Sequence, residues 1–403
     1  MTERNRRWQP GVWALLTDAF TSNLGFFLLV PLIAVQLTQH LGWAAWAAGL
    51  VLAIRQFAQQ GLAPWGGSLA DRLGYRAAVT LGMEVRALGF VLFAFAHTPL
   101  LILTAALLSG LGGALFGPAD AAALAVSVDP SDRQRVFALR TVCGNAGMVL
   151  GPLVGAYLLT ASFSLVAWAA GLVFAVSGIF TWYFYPPSAR QPESPQPFVT
   201  GFRQVLENRP FVHLTMILSG YYLLSSQLYI LIPLAVLAEH GPAALIGWLF
   251  SVYSTLAILL QTSVTRLTER LGTKLQLTFG LAATALGMLI AGITHTPYAL
   301  FGTMVLFALG SMLVMPASFQ LTSDLADPHI FGLFYGFSRL SQGIGGSLGN
   351  AVGGLLFSIA QGMGFLGLPW LVLAVAGGLS TLAMQRVDLR TVHARSGEVA
   401  ASS

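Results

Sequence analysis

Apolar residues in this chain come in long runs, and polar residues are confined to the short gaps between them. The runs lie near 12–37, 46–69, 77–96, 99–126, 136–160, 163–185, 210–238, 243–265, 273–294, 298–324, 331–358 and 364–385. An α-helix needs about 20 residues to cross roughly 30 Å of hydrocarbon, so the pattern predicts twelve membrane-crossing helices. Strands do not compete, because the runs lack the period-2 alternation of a membrane barrel. Arg4, Arg6 and Arg7 precede the first run. At about 25 residues that run is too long for the apolar part of a secretory signal and reads as the first membrane helix.

Composition agrees. Of 403 residues, 56% are hydrophobic and 9% charged, against roughly 25% charged in a soluble domain. The lipid bilayer is therefore the first expected partner. The net charge of +5 does not point to nucleic acid, since the basic residues are scattered between apolar runs. They work better as topology signals. Arg72, Arg76, Arg133, Arg135, Arg190, Arg203, Arg209, Arg266, Arg270 and Lys274 fall in one set of loops, joined by Arg386, Arg390 and Arg395 near the end. The opposite loops, near 40, 97, 161, 240, 295 and 362, hold no Arg or Lys. The positive-inside rule then places both termini in the cytoplasm, as an even number of crossings also requires. A single cysteine, Cys143, excludes an internal disulfide and a multi-cysteine metal site. No metal or cofactor is expected.

The chain also repeats itself. "LADRLGYR" at 69–76 returns as "LTERLGTK" at 267–274, with four identical positions and an offset of 198 (267 − 69). The same offset joins Gly49 to Gly247, Gly112 to Gly310, Pro118 to Pro316, Asp129-Pro130 to Asp327-Pro328, and "HTP" at 97–99 to 295–297. Six predicted helices separate the copies, so the halves share one orientation. Parallel repeats of this kind typify a large class of transporters. The expected division is a six-helix half at 1–185, a Pro-rich cytoplasmic linker at 186–209 and a second half at 210–403. Part of the linker, around 199–208, suits a short helix on the membrane surface.

Gly67-Ser68-Leu69-Ala70-Asp71-Arg72-Leu73-Gly74-Tyr75-Arg76 resembles motif A of the major facilitator superfamily, and sits where that family carries it, between helices 2 and 3. Tyr75 stands where the family usually has a basic residue, which leaves Arg76. In this loop Asp71 suits the positive end of a neighbouring helix. Gly67 permits close helix approach and Gly74 a tight turn. The resemblance implies a latch on the cytoplasmic side. "GMVLGPLVGA" at 147–156 resembles motif C, the antiporter motif of drug-efflux members, through Gly147, Gly151, Pro152 and Gly155. Small-residue helix packing is its plain structural reading. The arginine of motif B is missing, since residue 106 is Ala. The stretches 42–74, 107–118 and 335–349 look like MdtH-type multidrug efflux proteins. That likeness implies an all-α, twelve-helix drug:proton antiporter of a bacterial inner membrane, a monomer that exports amphipathic drug-like molecules in exchange for protons.

Ionisable residues inside membrane helices are functional candidates by default. Asp18 lies two turns into helix 1, with Ser22 and Gly25 on its face, and is the first candidate for proton coupling. Asp120 in helix 4 is the second, with Arg140 or the motif A arginines as partners. Glu84, beside Arg86 in helix 3, is the third. Arg55 and Gln59 share a face of helix 2, and Arg339 and Gln342 one of helix 11. Either arginine suits a substrate cavity, or the holding of acids such as Asp18 in the ionised form. The sequence leaves both readings open. Helix 7 offers Tyr222, Ser225, Ser226 and Tyr229 on one face. With Phe26 and Phe27 these suit an amphipathic drug. An enzyme is a poor rival, since no nucleophile–base motif, His pair at metal spacing or nucleotide loop is visible. A lipid, siderophore or metabolite transporter of the same fold is the stronger one.

Overall fold

The structure is a computed structural model, and it describes residues 10–128, 133–186, 198–294, 296–325 and 331–386. The described residues form helices joined by short turns, with no strand among them. Helix α1 (Pro10–Val35) runs on into a π turn at Gln36–His40. The second crossing is divided into α2 (Ala45–Gln56), a π turn at Phe57–Gly61, and α3 (Ala63–Leu73). Then come α4 (Tyr75–Phe93), α5 (Pro99–Val126), α6 (Arg133–Leu159) and α7 (Phe163–Phe184). A short α8 (Phe198–Glu207) occupies the expected linker helix. The seventh crossing is divided as well, into α9 (Arg209–Ser225), a 3₁₀ turn at Ser226–Leu228 and α10 (Leu231–Ala238). Helices α11 (Ala244–Thr268), α12 (Gly272–Ile293), α13 (Leu300–Leu325), α14 (Phe331–Met363) and α15 (Leu368–Arg386) complete the chain.

These elements make the twelve crossings the apolar runs predict. Ten of the described stretches are long and apolar enough to span a membrane on composition alone. The other two are the broken second crossing and α4, which carries Arg76, Glu84 and Arg86 in 19 residues. The correction concerns continuity. The runs at 46–69 and 210–238 read as single helices, yet each is interrupted. Apolar character runs straight through both breaks, so hydropathy does not register them. Of the predicted features, Asp129-Pro130, Asp327-Pro328, His295 and most of the linker lie outside the described residues.

Polar residues start several helices. Thr98, Ser162 and Asn208 each accept a hydrogen bond from the amide three residues on, at 3.4, 3.1 and 3.2 Å. Each thereby satisfies an amide that the helix itself leaves unbonded.

Packing divides the chain into two compact units, residues 1–29 with 62–195, and residues 30–61 with 196–403. In the first, α4 packs on α5 and α7, and α3 on α5. In the second, α14 packs on α2 and α9, and α12 on α13 and α15. Its core gathers Leu214, Leu218, Leu277, Leu281, Val314 and Leu321. The α2–α14 contact is close because Gly49 faces Gly354. A β-carbon on Gly49 would lie 3.0 Å from the Gly354 Cα. The Trp46 amide also donates to Ser358 Oγ at 2.9 Å. The packing units and the sequence halves are therefore different partitions of the chain.

The repeat is visible in three dimensions. Gly74 and Gly272, 198 residues apart, both have positive φ, 84° and 73°. Each joins a helix that ends to one that begins, in a conformation side-chain-bearing residues avoid. The crossing of α4 and α5 recurs as that of α12 and α13. A β-carbon on Gly82 would lie 2.9 Å from Gly112 O, and one on Gly280 2.9 Å from Gly310 O.

Candidate functional site

The first unit holds a polar column where α1 meets α7. Asp18 is fully buried. Ser177 Oγ donates to its Oδ1 and Thr181 Oγ1 to its Oδ2, both at 2.5 Å. Thr21 Oγ1 lies 2.6 Å from Ser177 Oγ. At 1.5 Å per residue, Asp18 sits about 12 Å along α1 from its start, well within the predicted membrane span. A lone carboxylate there is costly. Two charge-assisted hydrogen bonds offset part of that cost. Ser177 and Thr181 did not figure among the sequence candidates. Their only sequence signal is two hydroxyls four residues apart in an otherwise apolar run.

Asp120 on α5 is fully buried too. Its Oδ2 accepts from Arg140 Nε at 2.9 Å and Nη2 at 2.5 Å, while Oδ1 has no hydrogen-bond partner among the described residues. Arg140 is thus the partner of the two that the sequence allowed. Asp120 and Arg140 both lie within electrostatic reach of Asp18. Glu84 lies against α7, where a β-carbon on Gly178 would meet its Oε1 at 2.6 Å. Arg86 is buried among three rings, its guanidinium carbon 4.8 Å from the centroid of Phe174, 5.4 Å from Phe26 and 5.7 Å from Phe90. Phe26 and Phe27 pack edge to face at 5.0 Å.

Motif C holds α6 against α1. Cβ-less Gly147, Gly151 and Gly155 face the backbone oxygens of Phe20, Leu24 and Leu28, each one turn further along both helices. Pro152 lies inside the helix. The stripe fixes the backbone of α1, which carries Asp18. In motif A, Gly74 makes the predicted tight turn, while the close approach is made by Gly66, not Gly67. Gly66 faces Ala114 O directly, whereas a β-carbon on Gly67 would sit at an ordinary 3.5 Å from Pro118. The side chain of Asp71 lies outside the described residues. Arg72 is exposed, and Arg76 stacks its guanidinium 4.2 Å over Trp182.

The remaining candidates belong to the second unit. Arg55 is fully buried. Its Nη1 donates to Gln59 Oε1 at 2.7 Å and its Nη2 to Gln56 Oε1 at 3.1 Å. Tyr229 is within electrostatic reach of Arg55, and Arg339 within reach of Tyr222. Arg339 is exposed and Gln342 half-buried. The predicted polar face of helix 7 does not survive as one face, because the 3₁₀ turn interrupts it between Tyr222 and Tyr229. Tyr222 donates its hydroxyl to Met315 Sδ at 3.7 Å. Ser226 is buried and donates to Leu223 O at 2.8 Å, so its hydroxyl serves its own backbone.

Comparison with known proteins bears on the whole chain. A sequence profile of the Major Facilitator Superfamily matches residues 16–241 and, again, 221–401. The multidrug resistance protein MdtH of Klebsiella pneumoniae (strain 342) is 37% identical over 376 residues, covering 93% of this chain and 93% of its own. That of Photorhabdus laumondii is 36% identical over 377 residues, covering 93% of this chain and 94% of its own. Among solved structures, a POT family transporter in complex with 5-aminolevulinic acid superimposes with a TM-score of 0.81 at 12% identity, covering 93% of this chain and 95% of that one. The nucleoside transporter NupG does so with a TM-score of 0.79 at 14% identity, covering 94% and 99%. At such identity the two structures speak for the fold alone. With a matching profile in each half, relatives at this identity along almost its full length, and twelve helical crossings, the chain belongs to the Major Facilitator Superfamily and is a multi-span membrane transport protein, not an enzyme.

Proposed function

We propose that this chain is a proton-coupled multidrug efflux transporter, exporting amphipathic small molecules by alternating access of its sequence halves 1–185 and 210–403. Both termini are cytoplasmic and the membrane is the bacterial inner membrane. The observation that carries this reading is the buried Asp18, held by two hydroxyls in a transporter whose relatives are named as multidrug resistance proteins.

A carboxyl group in such a place is useful because its two states differ so much in cost. The neutral acid is tolerated in a low-dielectric interior. The ionised one needs compensating donors and counter-charge. Ser177 and Thr181 supply the donors, and the nearby Arg140 the counter-charge. Whatever conformational change alters that small set of partners alters proton affinity with it, and linkage makes the effect reciprocal. The glycine stripe of α6 supports the role by packing closely on α1, the helix that carries Asp18.

Liposomes containing the purified protein, with an imposed pH gradient, test this. Lipophilic cations, fluoroquinolones and lysolipids are added in turn, and proton flux is recorded for the native protein and Asp18→Asn. Drug-dependent proton release that vanishes in Asp18→Asn is the expected result. Flux that survives the substitution moves the proton site, first to Asp120. No coupled flux with any compound, from protein shown to be folded, overturns the drug-efflux reading.

A further inference from the structure

The hydrogen bonds at Asp18 form a chain with a direction. Asp18 Oδ1 accepts from Ser177 Oγ at 2.5 Å. Ser177 Oγ is 2.6 Å from Thr21 Oγ1, and either hydroxyl can donate. Thr21 Oγ1 is also 3.0 Å from Thr17 O, one turn back on α1. The two hydroxyl hydrogens cannot make all three bonds at once.

With Asp18 ionised, both hydrogens run inward. Thr21 donates to Ser177, and Ser177 donates to Oδ1. With Asp18 protonated there are three hydrogens, and they run outward. Asp18 donates to Ser177, Ser177 to Thr21, and Thr21 to Thr17 O. Every oxygen in the chain is satisfied in both states, and no heavy atom has to move. The bond from Thr181 Oγ1 to Oδ2 at 2.5 Å serves both states, since a carboxylate and a carbonyl oxygen each accept.

We propose that Thr21 and Ser177 form a reversible hydrogen-bond chain that suits buried Asp18 to both of its protonation states and conducts the proton between Asp18 and Thr21. The proposal rests on the proton-coupled reading above. In loading, a hydronium ion reaching Thr21 gives a proton to a lone pair of its Oγ1 and leaves as water. The hydroxyl proton of Thr21 passes to Ser177 Oγ, and that of Ser177 passes to Asp18 Oδ1. One proton has entered and one carboxylate is neutral. Each hydroxyl again holds one hydrogen, now pointing the other way. Unloading is the reverse. Asp18 is fully buried and Ser177 only 2% exposed, whereas Thr21 is half-buried and Thr17 exposed. The chain therefore leads from buried Asp18 to the surface of α1. The charged groups facing Asp18 from the other helices are Asp120 on α5 and Arg140 on α6, themselves paired. They set the local field but supply no link in the chain. Thr21 and Ser177 relay the proton, whereas Thr181 is a positioning residue.

The test is the pH dependence of drug-driven proton flux in liposomes. Thr21→Val preserves shape and removes one bond from each state, but it strands the Ser177 hydroxyl hydrogen in the protonated state and leaves only a lone pair unfilled in the ionised one, so the protonated state loses more. The midpoint should move to lower pH, by roughly half to one unit for one hydrogen bond. Thr181→Val removes a donor to the carboxylate, so its midpoint should move to higher pH by a similar amount. Ser177→Ala cuts the chain and should lower the maximal flux about tenfold or more, with binding of a fluorescent lipophilic cation unchanged. Ser177→Thr should restore flux. If Ser177→Ala does not fold, the two threonine variants and Ser177→Thr carry the test. Midpoints that stay put or move together, while Asp18→Asn still abolishes coupling, overturn the chain and leave the transport reading intact. Coupling that survives in Asp18→Asn overturns the proton site and the chain with it.

Discussion

Asp120 and Arg140 show what a single charged residue can decide inside a helix bundle. Both guanidinium bonds converge on one oxygen of Asp120. Removing the cation alone, as in Arg140→Met, strands a buried carboxylate. The expected cost is on the order of 3 kcal/mol, read as a lowered thermal midpoint in detergent. Asp120→Asn combined with Arg140→Gln should cost clearly less, because nothing charged is then left unpaired. An equal loss in both variants would show that shape, not charge, matters here. The sequence exposed these residues readily, because an acid stands out in an apolar run. It did not expose the partners of Asp18, since Ser177 and Thr181 lie 159 and 163 residues away. Sequence spacing carries no information about such contacts.

At the scale of elements, glycine positions govern how closely helices meet. The α6 stripe lets α1 approach until backbone oxygens occupy the space of absent β-carbons. In Gly151→Leu the added side chain has no room beside Leu24 O and Phe27. The protein should lose both thermal stability and coupled flux, whereas Val154→Leu, on the exposed face of the same helix, should change neither. Gly74→Ala and Gly272→Ala each force a side chain into an extended positive-φ conformation that is essentially glycine-only, at roughly 1–3 kcal/mol per site. Equal losses of stability are expected from the two, since the turns are copies. The sequence told the repeat and the turn, but not which glycine of Gly66-Gly67 meets its neighbour. Helix phase decides that. Nor did it tell that crossings 2 and 7 are broken, because a π or 3₁₀ turn leaves hydropathy unchanged while rotating the rest of the crossing.

For the whole molecule, the charge asymmetry of the loops makes an orientation testable. In a Cys143→Ser background, His97→Cys and His240→Cys should react with a membrane-impermeant maleimide on intact cells. Arg72→Cys and Arg266→Cys should react only after the membrane is opened. The reverse pattern would overturn the placement of both termini in the cytoplasm.

Class, number of crossings, duplication and family were settled by the sequence alone. The physical reason is that the bilayer acts on every residue of a crossing at once, so its demand for about 20 apolar residues is written along the chain. Duplication and motif spacing are likewise linear facts. Only the tertiary structure decided that Asp18 meets two hydroxyls of α7, that Arg140 serves Asp120, that Ser226 turns to its own backbone, and that residues 30–61 pack with 196–403. Each of these depends on helix rotation and on breaks of a few residues. A shift of one position moves a side chain about 100° around a helix without altering the hydropathy that defines the crossing.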